Sequence, residues 1–517
     1  MTTAAATVSS APRADVANRI PITGALMLAT LMNTLDSTIA NVALPHMKGS
    51  LGASQDQITW VLTSYIIATA IMTPLSGWLS QKIGRKTMLL ACIVGFTVAS
   101  ALCGVAQNLP EMVLFRLLQG IAGAGLMPLS QTVMLDLYPQ RLIPQVMSIW
   151  SAAVIMGPIL GPAVGGWITE NASWRWCFYI NVPIGGLAIF ALMTFMADDP
   201  GGRQRPFDFL GFGALATFVG SFQLMMDRGP DQDWFGSTEI WIEAVVAALA
   251  FWIFLIQTLT AEHPFFHRDL AKDRNFVSCT LFGFCVGGIL FSTTAVLPSF
   301  MQNLLGYSAL QSGYASMPRG LGSLIAFIAM PTLIWRVGAR RTLVVGIVLC
   351  IAALWSMSHF DLDMTSRLIV TSGLIQGLGV GMLFSPLNVL SYATLNPVHR
   401  TEGTVVATMI RSLGSSIGIS IIQASLTNNA AVVHARLGAD VFAGNPAVAA
   451  SLPAGVGAAT PAGAALLNGE LTRQATMVGY VDVFAWMSVM TLLLVPLLMI
   501  MRPPPPMQTL PIDAASE

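Results

Sequence analysis

The stretch LDSTIANVALP, residues 35–45, places an acid, Asp36, inside a predominantly apolar segment that extends over residues 20–45. About 20 apolar residues in a helix are enough to cross the hydrocarbon core of a bilayer. A carboxylate near mid-membrane costs roughly 2.5–3.5 kcal/mol on insertion scales, so such a residue usually faces a cavity or a partner and has a function. Asp36 is therefore a candidate protonation site. The alternative is a structural acid that hydrogen-bonds neighbouring polar side chains and never titrates.

The rest of the chain is as apolar as this first segment. Of its 517 residues, 54% are hydrophobic and only 10% are charged, whereas a soluble domain carries roughly 25% charged residues. The formal net charge is zero, which argues against a nucleic-acid-binding surface. The sequence contains no G-x-x-x-x-G-K-[ST] motif for ATP and no H-E-x-x-H motif for a metal. It predicts a membrane protein that is not an enzyme and has no metal site or cofactor.

Hydropathy divides the chain into fourteen candidate membrane spans. They cover residues 20–45, 58–80, 87–106, 111–134, 145–169, 176–197, 208–226, 239–260, 275–300, 309–334, 341–358, 367–391, 403–427 and 478–501. If the N-terminus is cytoplasmic, sixteen of the 25 Lys and Arg residues fall in inner segments, six in outer segments and three within spans. This agrees with the positive-inside rule. We therefore expect an all-α polytopic membrane protein with both termini in the cytoplasm.

The spans predict a 6+2+6 organisation. Its parts are a cytoplasmic tail (1–19), a six-helix bundle (20–197), two extra spans with their linkers (198–274), a second six-helix bundle (275–501) and a cytoplasmic tail (502–517). The second bundle includes a long outward loop, 429–477, that is rich in Ala, Gly and Pro. This loop is either a flexible filler or a docking surface for a periplasmic partner.

The fourth span opens with RLLQGIAGAGLMP, residues 116–128, which places Arg116 at a depth comparable with that of Asp36. Arginine keeps its proton. A nearby Arg116 would hold Asp36 ionised, and moving it away would let Asp36 protonate, so that conformation and proton occupancy would be linked. The alternative is a constitutive ion pair that only locks two helices together, and spacing alone leaves both interpretations open.

Two glycine-containing motifs indicate helices that move. MGPILGPAVGGW, residues 156–167, puts glycines and prolines into one span, which allows bending and close approach of a neighbour. GWLSQKIGRK, residues 77–86, lies at the inner end of the second span, where its charges also fit ordinary anchoring. The predicted gating residues are Gly77, Gln81, Gly84, Arg85, Gly157, Pro158, Gly161, Pro162 and Gly165.

The many Met and Phe residues on apolar faces predict an apolar substrate cavity that can adapt to ligands of different shape. The residues nominated for its lining are Asn33, Trp60, Tyr65, Gln119, Met127 and Gln131. Arg319 and Arg411 are candidate buried charges in the second bundle.

Together the strings at 35–45, 77–86, 116–128 and 156–167 resemble the major facilitator superfamily, specifically its fourteen-span drug:proton antiporter branch. The resemblance extends over essentially the whole chain. It implies the major facilitator fold, with two six-helix bundles of inverted three-helix repeats around a central cavity. It also implies a location in a bacterial inner membrane and proton antiport, with Asp36 as protonation site and Arg116 as its modulator.

The resemblance further implies partners. Substrates in this family branch are small hydrophobic toxic compounds, and members work with a periplasmic membrane-fusion adaptor and an outer-membrane channel. Two other interpretations stay open. The chain could export one self-made metabolite or siderophore, or it could be a membrane sensor that has lost transport.

The loop motif departs from the family pattern. Where the superfamily usually has an acid, this sequence has Gln81, and Lys82 replaces the usual arginine. We therefore expect Asp136, at the inner end of the fourth span, to lack its usual partner from position 81. We also expect the charge relay that latches this loop to be weakened, so that gating relies more on glycine packing.

Overall fold

The computed structural model describes residues 18–199, 201, 206–439, 441 and 460–501, and within them all regular structure is helical, with no strand. The described residues form fourteen long helices in succession: α1 (Arg19–Ser50), α2 (Trp60–Ile83), α3 (Arg85–Val105), α4 (Leu109–Leu137), α5 (Ile143–Asn171), α6 (Trp176–Phe195), α7 (Phe209–Arg228), α8 (Thr238–Thr260), α9 (Arg274–Asn303), α10 (Ala309–Val337), α11 (Ala339–Met357), α12 (Ser366–Ala393), α13 (Arg400–Ala439) and α14 (Pro461–Ile500). Most of both predicted tails lies outside the described residues.

The number of membrane spans is set by length and apolarity together. Thirteen of the described helices are long and apolar enough to cross a membrane. The remaining long helix, α1, has 32 residues, but its middle carries Asn33, Thr34 and Asp36. These polar residues lower the mean hydropathy of the helix, and they lie in and around the candidate functional site described below. The prediction of fourteen spans therefore stays a prediction for α1.

Local sequence signals mark several helix ends. Asn108 caps α4 by accepting a hydrogen bond from the Glu111 N–H, and Ser308 forms a capping box with Gln311 before α10. At the start of α3, Gly84 adopts φ 92°, a conformation that favours glycine, and a Cβ there would lie 2.0 Å from a backbone oxygen. Prolines occur inside α1, α2, α5, α9, α10 and α12 without ending them. Neighbouring helices tolerate such prolines in membranes.

The helices pack in two groups. In the first, α1 packs on α5 and α6, while α4 packs on α2 and α3. In the second, α10 packs on α12, α9 on α13, and α11 on α12. Contacts of α5 with α10 and α12, and of α13 with α2 and α4, join the two groups. We call them the first half (α1–α6) and the second half (α9–α14).

The two extra helices cover one side of the junction between the halves. Helix α7 packs on both α2 and α13, and α8 packs on α7. Ser416 of α13 donates a hydrogen bond to Gln223 of α7 at 2.7 Å. Residues Trp252 and Leu259 of α8 are 62% and 64% exposed, as expected for a face that contacts lipid. Helix α7 is therefore part of the wall around the centre of the molecule.

The prediction of one long loop at 429–477 is wrong for its two ends. Helix α13 continues to Ala439 and α14 begins at Pro461, and only the middle of the segment lies outside the described residues. The two extensions contact each other: His434 is 3.1 Å from Asn468, and Gly438 packs on Leu471. The alanine-rich composition explains the difference, because alanine has the highest helix propensity.

Candidate functional site

Asp36 and Arg116 form a fully buried ion pair between α1 and α4. Arg116 Nη1 lies 2.6 Å from Asp36 Oδ2, and both side chains are 0% exposed. A buried ion pair is held by short, charge-assisted hydrogen bonds, and removing one partner leaves an uncompensated charge. The structure thus brings together the two charges that the sequence placed at similar depths.

The second oxygen of the Asp36 carboxylate is bound by two amides. Gln119 Nε2 donates to Asp36 Oδ1 at 2.9 Å, and Asn181 Nδ2 donates to the same oxygen at 2.8 Å. Asn181 also donates to Ser100 Oγ at 2.9 Å. Gln119 accepts a hydrogen bond from Arg116 at 2.8 Å, so the amide bridges the acid and the base. Two helices besides α1, namely α4 and α6, therefore bind one carboxylate, and Ser100 of α3 supports Asn181.

Arg116 is held by further contacts around its guanidinium. Its Nε donates to the Val61 carbonyl at 3.0 Å, and its Cζ lies 4.2 Å from the ring centroid of Tyr65 and 5.7 Å from that of Phe178. Its Nη2 is buried without a hydrogen-bond partner among the described residues. Buried side-chain donors are normally paired, so this Nη2 is left with unused hydrogen-bonding capacity.

Helix α5 turns its glycines toward α1. A Cβ on Gly157 would lie 2.2 Å from Thr34 Oγ1, and one on Gly161 would lie 2.1 Å from Thr38 Oγ1. Thr38 also donates to the Gly157 carbonyl at 3.2 Å. Because α1 carries Asp36, the glycine face lets the helix with the acid lie directly against α5. Pro158 and Pro162 lie inside the same unbroken helix, and Gly165 packs on Ile39. A role of these residues in gating stays a prediction.

A cavity of about 170 Å³ lies beside the ion pair, walled by α1, α2, α4, α7 and α13. Three of the residues nominated for the substrate cavity line it: Asn33, Tyr65 and Met127. The structure places the other three elsewhere. Gln119 belongs to the ion-pair network, Gln131 bonds Asn388, and Trp60 is 38% exposed beside Arg228.

Gln131 belongs to a polar seam between the halves. Its Nε2 donates to Asn388 of α12 at 3.1 Å, and Asn388 donates to Ser151 of α5 at 3.2 Å. Nearby, the Ser148 and Ser385 hydroxyls are 2.6 Å apart. All of these side chains are buried. The seam holds the halves together on the side of the cavity that faces the predicted cytoplasmic end.

Charges latch the halves at the predicted cytoplasmic end, which corrects the expectation that the relay is weakened. Asp136 of α4 is bound by Arg85 of α3 and, at 2.9 Å, by Arg400 of α13. Gln81 Nε2 approaches Glu402 Oε1 at 3.5 Å, so position 81 contacts the other half without a charge of its own. The physical reason is that Asp136 takes its partners from α3 and α13 instead of from position 81.

A closely packed glycine also contributes to the contact between the halves at this end. A Cβ on Gly77 would lie 2.9 Å from a methyl group of Val405 in α13. Glu402 also accepts a hydrogen bond from the His267 N–H at 3.1 Å. The latch, defined as Gly77, Gln81, Arg85, Asp136, Arg400, Glu402 and Val405, therefore combines charge and close packing.

One group of possible metal ligands lies near the latch. Ligand atoms of His267, Asp269 and His399 all lie within 4.8 Å of one another. No local motif points to this group, because His399 is far along the chain from the other two. The three residues lie outside the long helices.

The sequence reasoning also missed Asn181, Ser100 and Asn388. A polar amide inside an apolar span was the available signal for Asn181 and Asn388. The string WRWCFYINVPIG, residues 174–185, contains Asn181, but its tryptophans are typical of the membrane interface and do not indicate a buried polar site.

Comparisons with known proteins agree with this architecture. The "Multidrug export protein EmrB" of Escherichia coli (strain K12) is 34% identical over 493 residues, which cover 94% of this chain and 96% of that protein. The "Fatty acid resistance protein FarB" of Neisseria gonorrhoeae is 32% identical over 493 residues, covering 93% and 96%.

Solved structures share the fold at low sequence identity. The human organic anion transporter MFSD10 (TETRAN) superposes with a TM-score of 0.60 at 13% identity, covering 94% of this chain and all of that one. The proton:xylose symporter XylE superposes with a TM-score of 0.57 at 15% identity, covering 92% and 95%. The profile of the Major Facilitator Superfamily matches residues 26–419. From this match and the long alignments with relatives above 30% identity, we conclude that the chain is a multi-pass membrane protein belonging to the Major Facilitator Superfamily.

Proposed function

We propose that this chain exports small hydrophobic compounds across a bacterial inner membrane in exchange for protons. The observation that carries the proposal is the Asp36–Arg116 pair, which is 0% exposed on both sides. Such a pair is stable only while both charges are present and in contact. A protein that moves these helices apart must neutralise Asp36, and a proton is the simplest way to do so.

The proposed cycle links a proton to helix movement. In the conformation described here Asp36 is paired and the latch joins the halves. Protonation of Asp36 removes its attraction for Arg116, so α1 and α4 can separate and the halves can rock about the seam. The glycine face of α5 lets α1 shift without a steric barrier. Release of the proton from Asp36 to the cytoplasmic side restores the ion pair with Arg116.

The cavity supports hydrophobic substrates. Met127 and Met409 line it together with hydroxyl and amide groups, and methionine adapts to ligands of different shape. Relatives named for multidrug export and for fatty acid resistance align over more than nine-tenths of the chain. A dedicated metabolite exporter and a transport-inactive sensor are the competing interpretations.

The partners in this proposal are a periplasmic membrane-fusion adaptor and an outer-membrane channel. Helix α13 has 40 residues, about 60 Å at 1.5 Å per residue, which is longer than a hydrocarbon core of about 30 Å. The outward extensions of α13 and α14 could then dock the adaptor, and Val432 and Leu466 are 41% and 50% exposed there. Crosslinking from cysteines at these two positions to the adaptor tests the contact. Absence of crosslinks with a co-expressed adaptor would favour a stand-alone exporter.

The deciding experiment uses inverted vesicles with an acidic interior. Neutral hydrophobic compounds are added one at a time, and proton release is recorded for the native protein, Asp36→Asn and Asp36→Glu. Asp363→Asn is the matched control, because Asp363 is an exposed acid outside the long helices. Release by the native protein and the control, loss in Asp36→Asn and partial recovery in Asp36→Glu would support the proposal.

Other outcomes count against it. Equal release by Asp36→Asn would move the proton site elsewhere. No release from the native protein with a broad compound panel would leave the dedicated exporter and the sensor. Vesicles without the protein control for compounds that carry protons on their own, and size-exclusion profiles show that each variant is folded.

A further inference from the structure

Two arginines of the second half lie inside long helices without an acidic neighbour. Arg319 lies on α10 and is 8% exposed, and Arg411 lies on α13 and is partly buried. Among the described residues, the titratable groups that interact with them electrostatically are Cys350 for Arg319 and Tyr392 for Arg411. Charged side chains within membrane spans are normally paired. These two are not, whereas Arg116 in the first half has its carboxylate.

Of the two, Arg411 has the weaker protein partners. Arg319 Nη2 donates to the Leu290 carbonyl at 3.2 Å. Among the described residues, Arg411 Nη2 has one hydrogen-bond acceptor, the Met127 sulfur at 3.3 Å, and the Arg411 Cζ lies 5.8 Å from the Phe384 ring centroid. A guanidinium has five N–H donors and keeps its charge in proteins. A thioether and an aromatic face satisfy little of that capacity, so Arg411 has donors to spare for a ligand.

The side chain of Arg411 reaches from the second half to the first. Its Cγ lies beside Gly287 of α9, and its guanidinium contacts Met127 of α4, which belongs to the first half. Met127 also lines the 170 Å³ cavity with Met409 and Leu413. The structure therefore places a cation next to an apolar wall, on the path between the halves.

A second, larger cavity of about 740 Å³ opens at the predicted cytoplasmic end between the halves, and we call it the cleft. No acid is among its described lining residues, which include the five arginines Arg141, Arg336, Arg340, Arg341 and Arg400. The positive-inside rule explains arginines in inner loops but not their convergence on one cavity. Tyr392 of α12 lines the cleft, and Arg411 lies against Phe384 of the same helix, so the cleft and Arg411 both adjoin α12.

We propose that Arg411 binds the headgroup of an amphipathic organic anion, such as a carboxylate with an apolar tail, that enters through the cleft. A carboxylate accepts two parallel N–H bonds from a guanidinium, which a neutral ester cannot match. The tail would lie along Met127 and Met409. This inference rests on the proposed export function and names a substrate class for it.

The test is direct binding to the purified full chain in phosphatidylcholine nanodiscs. Dodecanoate and its neutral methyl ester are the probes, and empty nanodiscs correct for partitioning into lipid. We expect the acid to bind roughly ten- to hundred-fold more tightly than the ester, the range for hydrogen bonds to a charged group. Equal binding of acid and ester would overturn the proposal.

Variants locate the preference. Arg411→Gln should bring acid and ester to equal affinity, and Arg411→Lys should keep part of the preference because the charge remains. Arg367→Gln is the matched control, since Arg367 is an exposed arginine at the start of α12. A preference that survives Arg411→Gln in folded protein would also overturn the proposal.

An anionic phospholipid also combines a negatively charged headgroup with apolar tails. Nanodiscs containing phosphatidylglycerol therefore form a separate arm of the experiment. Unchanged dodecanoate binding there supports a cargo site, whereas complete displacement would make it a lipid site and overturn the proposal. The assay does not depend on transport. Failure of the vesicle experiment would reject proton-coupled export and still leave the acid-to-ester ratio readable.

Discussion

Arg400 of α13 lies 2.9 Å from the carboxylate of Asp136 on α4, and Arg85 of α3 binds the same carboxylate. One acid of the first half thus receives an arginine from each half. All three side chains are 20–32% exposed, so each pair contributes modestly to stability. Such contacts are suited to an equilibrium between two conformations, because they can break without a large cost.

Asp136→Asn should therefore open the predicted cytoplasmic end. Loss of both pairs is expected to raise the open population roughly two- to thirty-fold, since exposed pairs contribute about 0.2–1 kcal/mol each. The measurement is the alkylation rate of a cysteine at Ser385, which is 0% exposed here, in a background without the six native cysteines. Lys272→Gln, which removes a pair with Asp269 outside the latch, is the control. An unchanged rate in Asp136→Asn would mean that the latch does not hold this conformation.

The Asp36–Arg116 pair should contribute much more to stability than the exposed pairs of Asp136, because it is fully buried. Asp36→Asn leaves Arg116 charged and unpaired, and a loss of roughly 3–5 kcal/mol in unfolding free energy is expected. The double variant Asp36→Asn, Arg116→Gln should recover part of that loss. Tryptophan fluorescence during thermal unfolding reports both, with Asp363→Asn as the control. If the double variant is no more stable than Asp36→Asn, the charge of Arg116 is not the source of the instability.

How well the sequence predicts a structural feature depends on how far apart the interacting residues lie along the chain. Membrane thickness fixes helix length, so a hydropathy window placed the segment 58–80 close to the observed Trp60–Ile83. Depth alone suggested that Asp36 and Arg116 could meet. The partners that lie far apart in the sequence could not be found in this way. The link from Asp136 to Arg400 and the hydrogen bond from Asn181 to Asp36 depend on how helices pack, which no local pattern encodes.

The contact between α1 and α5 predicts a steric effect at Gly161. A methyl group there would lie 2.1 Å from Thr38 Oγ1, so Gly161→Ala should push the helices apart and lower stability by about 1–3 kcal/mol. Proton-coupled transport should fall with it. Gly186→Ala on α6 is the matched control, because a Cβ at Gly186 has nothing within 4 Å. Adding Thr38→Ala removes the closest atom, and the melting temperature should then rise above that of Gly161→Ala alone. A Gly161→Ala protein as stable and active as the Gly186→Ala control would exclude this contact as a constraint on movement.

The 170 Å³ cavity predicts a size effect on transport. Ser412 lines it and has an exposed side chain, so Ser412→Phe should fill space that already exists without disturbing the surrounding helices. Transport of bulky neutral compounds should fall roughly tenfold, the scale of a misfit in an apolar pocket. Small compounds should be less affected.

The control for this size effect is Ser299→Phe, at an exposed position of α9 outside the cavity. Initial rates of export for a series of compounds of increasing size give the measurement, and melting temperatures show whether each variant is folded. A uniform loss for all sizes would indicate a conformational defect in place of a filled binding site. Equal rates in Ser412→Phe and Ser299→Phe would mean that substrates take a path that avoids this cavity.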